Sequence, residues 1–156
     1  MTLAPIILFV YNRHWHTEQT LRALMANDLA AESELYIYAD GPKPNATDEQ
    51  LQKIHEVRQL IRQEQWCGKV HIVESEKNKG LANSVINGVS EIVNKYDRVI
   101  VLEDDLKTSP TFLTYMNQAL DYYRTFSSVY SISADIPMKM PLIEDYDYDV
   151  FVSYRN

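Results

Sequence analysis

The amino-acid sequence predicts an α/β fold with a mostly parallel sheet and helices on both of its faces. Short apolar runs alternate along the 156 residues with segments that have the period of amphipathic helices. The apolar runs are continuous, which is typical of parallel strands buried on both sides. A chain of this length forms about one domain, so we expect a single three-layer α/β/α unit with right-handed crossovers.

Five strands and four helices are predicted, in strict alternation. The strands are residues 5–11, 35–39, 70–73, 99–102 and 129–133, and the helices are about residues 17–27, 47–61, 81–93 and 109–123. The second helix opens with a capping box of Thr47 and Gln50. The fourth opens with Ser109 as its cap and Pro110 at the first helical position.

Composition and charge exclude several classes of protein. Hydrophobic residues make up 46% and charged residues 24% of the chain, which argues against a disordered or fibrous protein. The net charge of −7 disfavours nucleic acid as the main partner. The longest apolar run, residues 5–11, is too short to cross a bilayer, and no basic residue precedes it as in a secretory leader. We therefore expect no transmembrane segment.

Glycine and cysteine narrow the possibilities further. The four glycines are too widely spaced for a dinucleotide-binding Gly-x-Gly-x-x-Gly fingerprint or a P-loop. The single cysteine, Cys67, has no internal disulfide partner and is expected to be a packed thiol. This is compatible with the reducing cytosol, so we expect a cytoplasmic location. His14 and His16 have no carboxylate at ligand spacing and are expected on the surface.

Polar clusters follow the first four predicted strands. They are Tyr11-Asn12-Arg13, Asp40-Gly41-Pro42, Asn78-Lys79-Gly80 and Glu103-Asp104-Asp105. In open α/β sheets, ligands bind outside the carboxyl ends of the strands, so these clusters are expected to line one edge. Two of them offer cations and hydrogen-bond donors and two offer carboxylates. Together they suit a nucleotide diphosphate bridged by a metal ion.

The acidic triplet after the fourth strand is the strongest single feature. Three adjacent carboxylates repel one another unless a cation neutralises them, and hard oxygen ligands suit Mg²⁺ or Mn²⁺. In an extended turn, Glu103 and Asp105 point to one side and Asp104 to the other. The alternative is a solvated acidic loop that caps the next helix.

Each of the other clusters also has a simpler interpretation. Asp40 offers an acceptor for the imide N–H of a base, yet Asp-Gly is often only a turn. Arg13 can pair with a phosphate or remain a solvated charge. Residues 78–80 form either part of the site or only the loop before a helix. The clusters support one another because they follow successive strands.

These motifs resemble the GT-A glycosyltransferases. The motifs are residues 6–13, 38–41, 78–82 and 99–106, in the order that this family uses. The chain looks most like the branch related to N-acetylglucosaminyltransferase I, with bacterial family 2-like enzymes next, over roughly residues 4–134. The most specific portion is an apolar strand, then Glu-Asp-Asp-Leu, then residues 109–113 opening a helix.

The resemblance implies a Rossmann-like fold and a role for each cluster. Tyr11, Asn12 and Arg13 would contact the ribose and diphosphate of a nucleotide-diphosphate sugar, with UDP as the expected nucleotide. Asp40, next to Gly41, would hydrogen-bond the pyrimidine. The nucleotide side of the pocket would be lined by Asn78, Lys79, Gly80 and Asn83. Asp105 would bind Mn²⁺ or Mg²⁺ directly, with Glu103 and Asp104 assisting, and a saccharide or other hydroxyl acceptor would receive the sugar.

One departure from the family concerns the catalytic base. An inverting enzyme of this kind takes a carboxylate base from well after the metal motif, whereas only 51 residues follow Asp105 here. Asp135 is either a stand-in for this base or a turn aspartate. We therefore expect one domain that is incomplete at its C-terminus, with a donor-binding core over residues 1–134 and the start of the acceptor side over residues 135–156. A strand at 150–154 would offer an edge for a homo-oligomer.

Three other functions are alternatives to a complete glycosyltransferase. A non-catalytic fragment that binds a nucleotide sugar but lacks the acceptor half is the main alternative. A receiver-type phosphorelay domain needs an acid pair after the first strand and an aspartate after the third, where this chain has Asn12-Arg13 and Asn78-Lys79. A nucleotidyltransferase usually has a glycine-rich loop after its first strand, and none is present.

Overall fold

A computed structural model describes residues 2–134, and its centre is an all-parallel sheet of four strands. The elements in chain order are β1 Ile6–Val10, α1 His14–Met25, β2 Glu34–Ala39, α2 Asp48–Leu60, β3 Lys69–Glu74, α3 Leu81–Tyr96, β4 Ile100–Glu103 and α4 Phe112–Tyr122. Short 3-10 turns occupy Ala30–Glu32 and Tyr123–Thr125. The predicted α/β class, the first four strands and the four helices are confirmed.

The strand order β3-β2-β1-β4 places β1 inside the sheet, and all five of its residues are buried. Leu8 of β1 lies in register with Ile37 on one side and Leu102 on the other. The first three strands extend the sheet in one direction, and β4 is added on the opposite side of β1. This reversal is the kind of switch point outside which open α/β sheets bind ligands.

Helices cover both faces of the sheet, as predicted. Side chains of α1, α2 and α4, including Leu21, Val57 and Leu113, pack on one face in the larger core cluster. Within the described residues, α3 packs on the other face, where Ile92 meets Ile7. No helix in this part of the chain is long and apolar enough to cross a membrane.

Two local predictions need correction. Residues 129–133 form no strand of the described sheet: Ile132 packs against the core, and the residues on either side of it are exposed. The fourth helix begins at Phe112, so Ser109 and Pro110 lie in the turn before it. By contrast, the capping box of α2 is present, with Thr47 and Gln50 bonded reciprocally at 3.3 and 3.1 Å. The predicted strand at 150–154 lies outside the described residues.

The start of α4 is capped by Asn27, which lies just after α1. Thr111 precedes the helix but makes no side-chain cap bond. Instead, the buried Asn27 accepts a hydrogen bond from the Leu113 N–H at 2.9 Å and donates to the Thr108 hydroxyl at 3.1 Å. The Asp28 N–H also donates to the Pro110 carbonyl at 3.0 Å. These bonds fix α4 against α1 and therefore fix the segment that leaves β4.

We predict that Asn27→Ala lowers the free energy of unfolding by about 2 kcal/mol, because it removes a helix cap and leaves buried partners unsatisfied. Urea denaturation measures the change. Asn94→Ala, at an exposed position of α3, is the control and should shift stability by less than about 0.5 kcal/mol. Equal effects of the two substitutions would contradict the capping role.

At the amino end of the strands, Glu34 joins three elements. Its carboxylate accepts from the Lys69 ammonium at 3.0 Å and the Tyr96 hydroxyl at 3.3 Å, and lies 2.6 Å from Nε2 of His71. The His71 ring also stacks on Tyr36, with centroids 4.3 Å apart. The hydrogen bond from Lys69, opposed by burial and aided by the bond from His71, lowers the pKa of Glu34 from 4.5 to about 2.

This depressed pKa predicts a loss of stability in acid. A carboxylate whose folded pKa lies below its unfolded pKa stabilises the fold above the unfolded value, and the contribution disappears as pH falls from about 4.5 towards 2. Urea denaturation between pH 6 and pH 2 measures the free energy of unfolding of the wild type and of Glu34→Gln. The amount by which the wild type is more stable should shrink as the pH falls through this window. Glu32→Gln, at an exposed turn position, should show a constant difference.

Candidate active site

The carboxyl ends of the strands border a cleft of about 320 Å³. Residues from all four predicted clusters line it: Tyr11, Asn12, Arg13, Asp40, Asn78, Gly80, Glu103 and Asp104. The four polar clusters therefore meet at one edge of the sheet, as the sequence predicts. They meet because parallel strands direct all their carboxyl ends to the same side.

Four predicted site residues do not line the cleft itself. Lys79 lines a smaller neighbouring cavity of about 80 Å³, and Asn83 donates to the Lys79 carbonyl at 2.9 Å. Gly41 lies behind the cleft, packed against backbone of residues 75–77. Asp105 is exposed and contacts Arg13.

Several residues that line the cleft were not among those predicted from the sequence: Phe9, Val10, Tyr38, Lys43, Leu81 and Ser84. Phe9 and Tyr38 occupy paired register positions of β1 and β2, with ring centroids 5.7 Å apart. The Tyr38 hydroxyl donates to Glu91 of α3 at 2.9 Å, and burial, followed by this hydrogen bond, raises the pKa of Tyr38. The alternation of side chains along a strand could have predicted that the two rings lie on the same face of the sheet. Ser84 could have been predicted as well, because it lies one helical turn after Gly80.

Arg13 bridges the two aspartates of the acidic triplet across the switch point between β1 and β4. Its guanidinium contacts both carboxylate oxygens of Asp104 and donates to Asp105 Oδ2 at 3.1 Å. The Asp104 side chain is 8% exposed and that of Asp105 is 43% exposed. The hydrogen bond to Asp104, and the charges of both aspartates, raise the pKa of Arg13 against the opposing effect of burial.

The triplet alternates in exposure as its extended geometry predicts. Glu103 and Asp105 are exposed, whereas Asp104 is buried. In the described structure, however, the cleft is lined by Glu103 and Asp104 and not by Asp105. The assignment of Asp105 as the direct metal ligand stays a prediction.

Asp40 holds the loop before α3. Oδ1 accepts from the N–H groups of Gly41 at 2.8 Å and Lys79 at 2.9 Å, and Oδ2 accepts from Asn78 Nδ2 at 3.0 Å and the Gly80 N–H at 3.1 Å. Both carboxylate oxygens thus have two donors each. The end of β2 and the loop after β3 are fastened together by one side chain.

Gly41 permits the close approach of these loops. A Cβ at this position would lie 2.6 Å from backbone atoms of Lys77 and from the Ser75 carbonyl oxygen. Arg58 of α2 holds the same segment from behind, donating to the Ser75 carbonyl at 2.7 Å and the Asp40 carbonyl at 3.4 Å. No sequence pattern singles out Arg58, because these two hydrogen-bond acceptors are backbone atoms of distant loops.

Comparison with known proteins identifies the family. The profile of Glycosyl transferase family 2 matches residues 6–148. The chain belongs to this family. The family match confirms the predicted GT-A glycosyltransferase resemblance, and no curated protein sequence matches the chain.

Solved structures agree with the fold of a family 2 domain. S. aureus TarS is 16% identical, with a TM-score of 0.50, and the match covers 78% of this chain and 20% of TarS. A TarS structure of residues 1–349 is 17% identical, with a TM-score of 0.51, and the match covers 78% of this chain and 33% of that one. The matched part of this chain therefore corresponds to a third or less of the length of each of these structures.

The acidic triplet of this family 2 domain is compatible with a hard divalent cation. Within the part of the chain that the structure describes, no three His, Cys, Asp or Glu side chains form a ready metal cage. Two carboxylates are nevertheless gathered around one positive group, the Arg13 guanidinium. Because Mg²⁺ usually takes one or two carboxylates and completes its coordination with other oxygen ligands, the chemistry of these residues fits such a cation.

The remaining candidates of the family 2 domain add no second site. Cys67 is buried, and burial raises the pKa of its thiol to about 12, so it is the packed thiol that the sequence predicts. His16 is exposed and meets the Trp15 ring edge-on, while His14 is half-buried. Asp135 and the rest of the predicted acceptor side, residues 135–156, lie outside the described residues.

The tight contact at Gly41 generates a prediction. Gly41→Ala forces apart the loops that border the cleft, because the new methyl group would meet backbone atoms, and we expect a loss of about 1–3 kcal/mol in the free energy of unfolding. Chemical denaturation checks the size of the effect. Pro42→Ala, in the same loop, is the control and should cost less than half as much. A neutral Gly41→Ala variant would contradict the close packing of the two loops.

Proposed function

We propose that this family 2 domain provides the donor site of a glycosyltransferase that moves a sugar from a nucleotide-diphosphate sugar to an acceptor hydroxyl. The observation that carries the proposal is the cleft at the switch point, where a cationic side chain faces two carboxylates among hydrogen-bond donors from three loops. A nucleotide diphosphate is the class of ligand that needs three kinds of partner at once. These are a cationic side chain, a metal ion held by carboxylates, and neutral hydrogen-bonding groups.

Each cluster has a proposed task. Tyr11 and Asn12 bind the ribose and diphosphate, and the Arg13 guanidinium pairs with phosphate oxygens. Asn78, Lys79, Gly80 and Asn83 support the nucleotide side through the loop that begins α3. The Phe9 and Tyr38 rings supply an apolar wall for the base or ribose.

The leaving diphosphate determines the chemistry. As the bond between the sugar and the diphosphate breaks, negative charge grows on the leaving oxygen, and the proposed role of the Arg13 guanidinium is to stabilise that charge. Asp105, assisted by Glu103, would hold Mn²⁺ or Mg²⁺, and the bound ion would supply Lewis-acid stabilisation to the same group. UDP is the proposed nucleotide. A carboxylate base for the acceptor hydroxyl is proposed to come from beyond the described residues.

Thermal unfolding with ligands tests the donor site. We expect a UDP-sugar with Mn²⁺ to stabilise the wild type by about 2.7 kcal/mol at a concentration 100 times Kd. Asp105→Ala should lose the part of this stabilisation that depends on Mn²⁺, whereas Asp48→Ala, at the exposed start of α2, should retain it. A wild type that no UDP-sugar stabilises would overturn the proposal.

The principal alternative is a domain that binds the donor without transferring it. The cleft accounts for binding of the donor, and none of the residues that line it is assigned the role of catalytic base. Hydrolysis of the UDP-sugar to UDP, followed by coupled detection of UDP, separates the two. Binding together with hydrolysis supports the catalytic proposal, and binding with no hydrolysis or transfer supports the binding domain.

A further inference from the structure

Two cavities meet at the ring of Tyr38. The cleft of about 320 Å³ and the neighbouring cavity of about 80 Å³, which we call the side cavity, share three lining residues: Tyr38, Asp40 and Ser84. Tyr38 has the largest side chain of the three, so its ring forms most of the wall between the two spaces. The side cavity is also lined by Val73 of β3 and by Glu91 of α3, and it therefore lies between α3 and the β2–β3 part of the sheet.

The Tyr38 ring is held in this wall by its neighbours. Its hydroxyl donates to Oε2 of Glu91 at 2.9 Å, and the Phe9 ring of β1 lies beside it with centroids 5.7 Å apart. Phe9 is only 4% exposed, and α3 closes on it at Gly88, where a Cβ would lie 3.0 Å from the Phe9 ring. Because Phe9 has no space to give way, Tyr38 is fixed along one side as well as at its hydroxyl.

The charges that line the cleft are concentrated at the end away from Tyr38. Arg13 follows β1 and Asp104 follows β4, whereas Tyr38 belongs to β2, on the opposite side of β1 from β4. β2 and β4 are two strand spacings apart, about 10 Å, which leaves room for a ribose between them. A nucleoside diphosphate is charged at one end and has a flat ring at the other. Its diphosphate therefore suits the β4 side, and its base suits the aromatic β2 side.

A base in this position would meet the Tyr38 ring, and its size would then decide whether it fits. A purine is larger than a pyrimidine by one fused five-membered ring. A pyrimidine that ends at Tyr38 leaves the wall in place, whereas the additional ring of a purine requires the space that the tyrosine ring fills. The side cavity lies behind this wall, so the space for a purine opens only when the tyrosine ring is absent.

We propose that Tyr38 is a specificity-determining residue: its ring, positioned by Glu91, closes the base end of the cleft and restricts the donor to a pyrimidine nucleotide. This inference rests on the proposed donor site and adds selection of the base by size. Its consequence is that the volume of the side chain at position 38 sets the preference between UDP and the purine nucleotides.

Calorimetric titration with UDP, GDP and ADP, each with Mn²⁺, tests the proposal. The wild type should bind UDP more tightly than GDP or ADP. Tyr38→Ala joins the cleft to the side cavity and should raise the affinity for GDP and ADP relative to UDP by about tenfold or more. Tyr122→Ala, which removes an exposed tyrosine of α4, is the control and should keep the wild-type ratio. An unchanged ratio in Tyr38→Ala would overturn the proposal.

Tyr38→Leu tests the same point with less disturbance of the fold. Leucine keeps an apolar side chain between β2 and α3 but is shorter than the tyrosine ring, so we expect a smaller shift of the ratio towards the purine nucleotides. Thermal unfolding gives the melting temperature of each variant, and the titrations are made well below it. A folded Tyr38→Leu variant with the wild-type ratio would also overturn the proposal.

Substitutions at the hydrogen bond test whether Glu91 positions the ring. Glu91→Ala and Tyr38→Phe each remove this bond, and both should relax the preference for UDP by the same factor, smaller than that of Tyr38→Ala. The double variant should relax it no further, because the bond is already lost. Asn94→Ala, at an exposed position of the same helix, should have no effect. Effects that multiply in the double variant would overturn the positioning role of Glu91.

The titrations also separate this inference from the donor site on which it rests. A wild type that binds GDP or ADP as tightly as UDP would overturn the role of Tyr38 and leave the donor site standing. A wild type that binds none of the three nucleotides would overturn the donor site, and the inference with it.

Discussion

The parallel pairing of β1 with β2 and β4 is the constraint on which the site depends. Phe9 of β1 lies in register with Tyr38 on one side and Glu103 on the other, so the ends of three strands come level at one edge. The chain then leaves β1 towards Arg13 and β4 towards Asp104. Arg13 and Asp104, which are 91 positions apart in the sequence, therefore meet at the switch point because their strands are neighbours in the sheet.

Ion pairs between the ends of β1 and β4 then stabilise this arrangement. Asp104 is buried at the end of β4, and a buried carboxylate is unfavourable unless it is paired. The Arg13 guanidinium supplies that pairing and simultaneously reduces the repulsion between Asp104 and its neighbour Asp105. Arg13 thus holds the two aspartates of the acidic triplet in place. Charges of both signs therefore lie side by side at this edge of the sheet.

Local patterns in the sequence were sufficient for the sheet, the helices and the edge where the polar clusters meet. They failed where a tertiary contact decides the outcome: residues 129–133 have the β-branched composition of a strand, but only Ile132 reaches the core. The bonds of Asp40 were equally inaccessible, because they depend on where the backbone N–H groups of a distant loop point. The lining residue Lys43 follows a predicted turn, and no periodic pattern singles it out.

The helix starts differ in how far away their caps lie, and this difference links the cleft to the sheet. α2 is capped by its own residues, Thr47 and Gln50, so its first turn has local support. The acid at the start of α3 is Asp40, 40 residues before Gly80, and it reaches that position only when β2 and β3 are paired. The side of the cleft that residues 78–80 border therefore forms together with the β2–β3 pairing. By the same coupling, a ligand that binds residues 78–80 also stabilises the edge of the sheet from which those residues emerge.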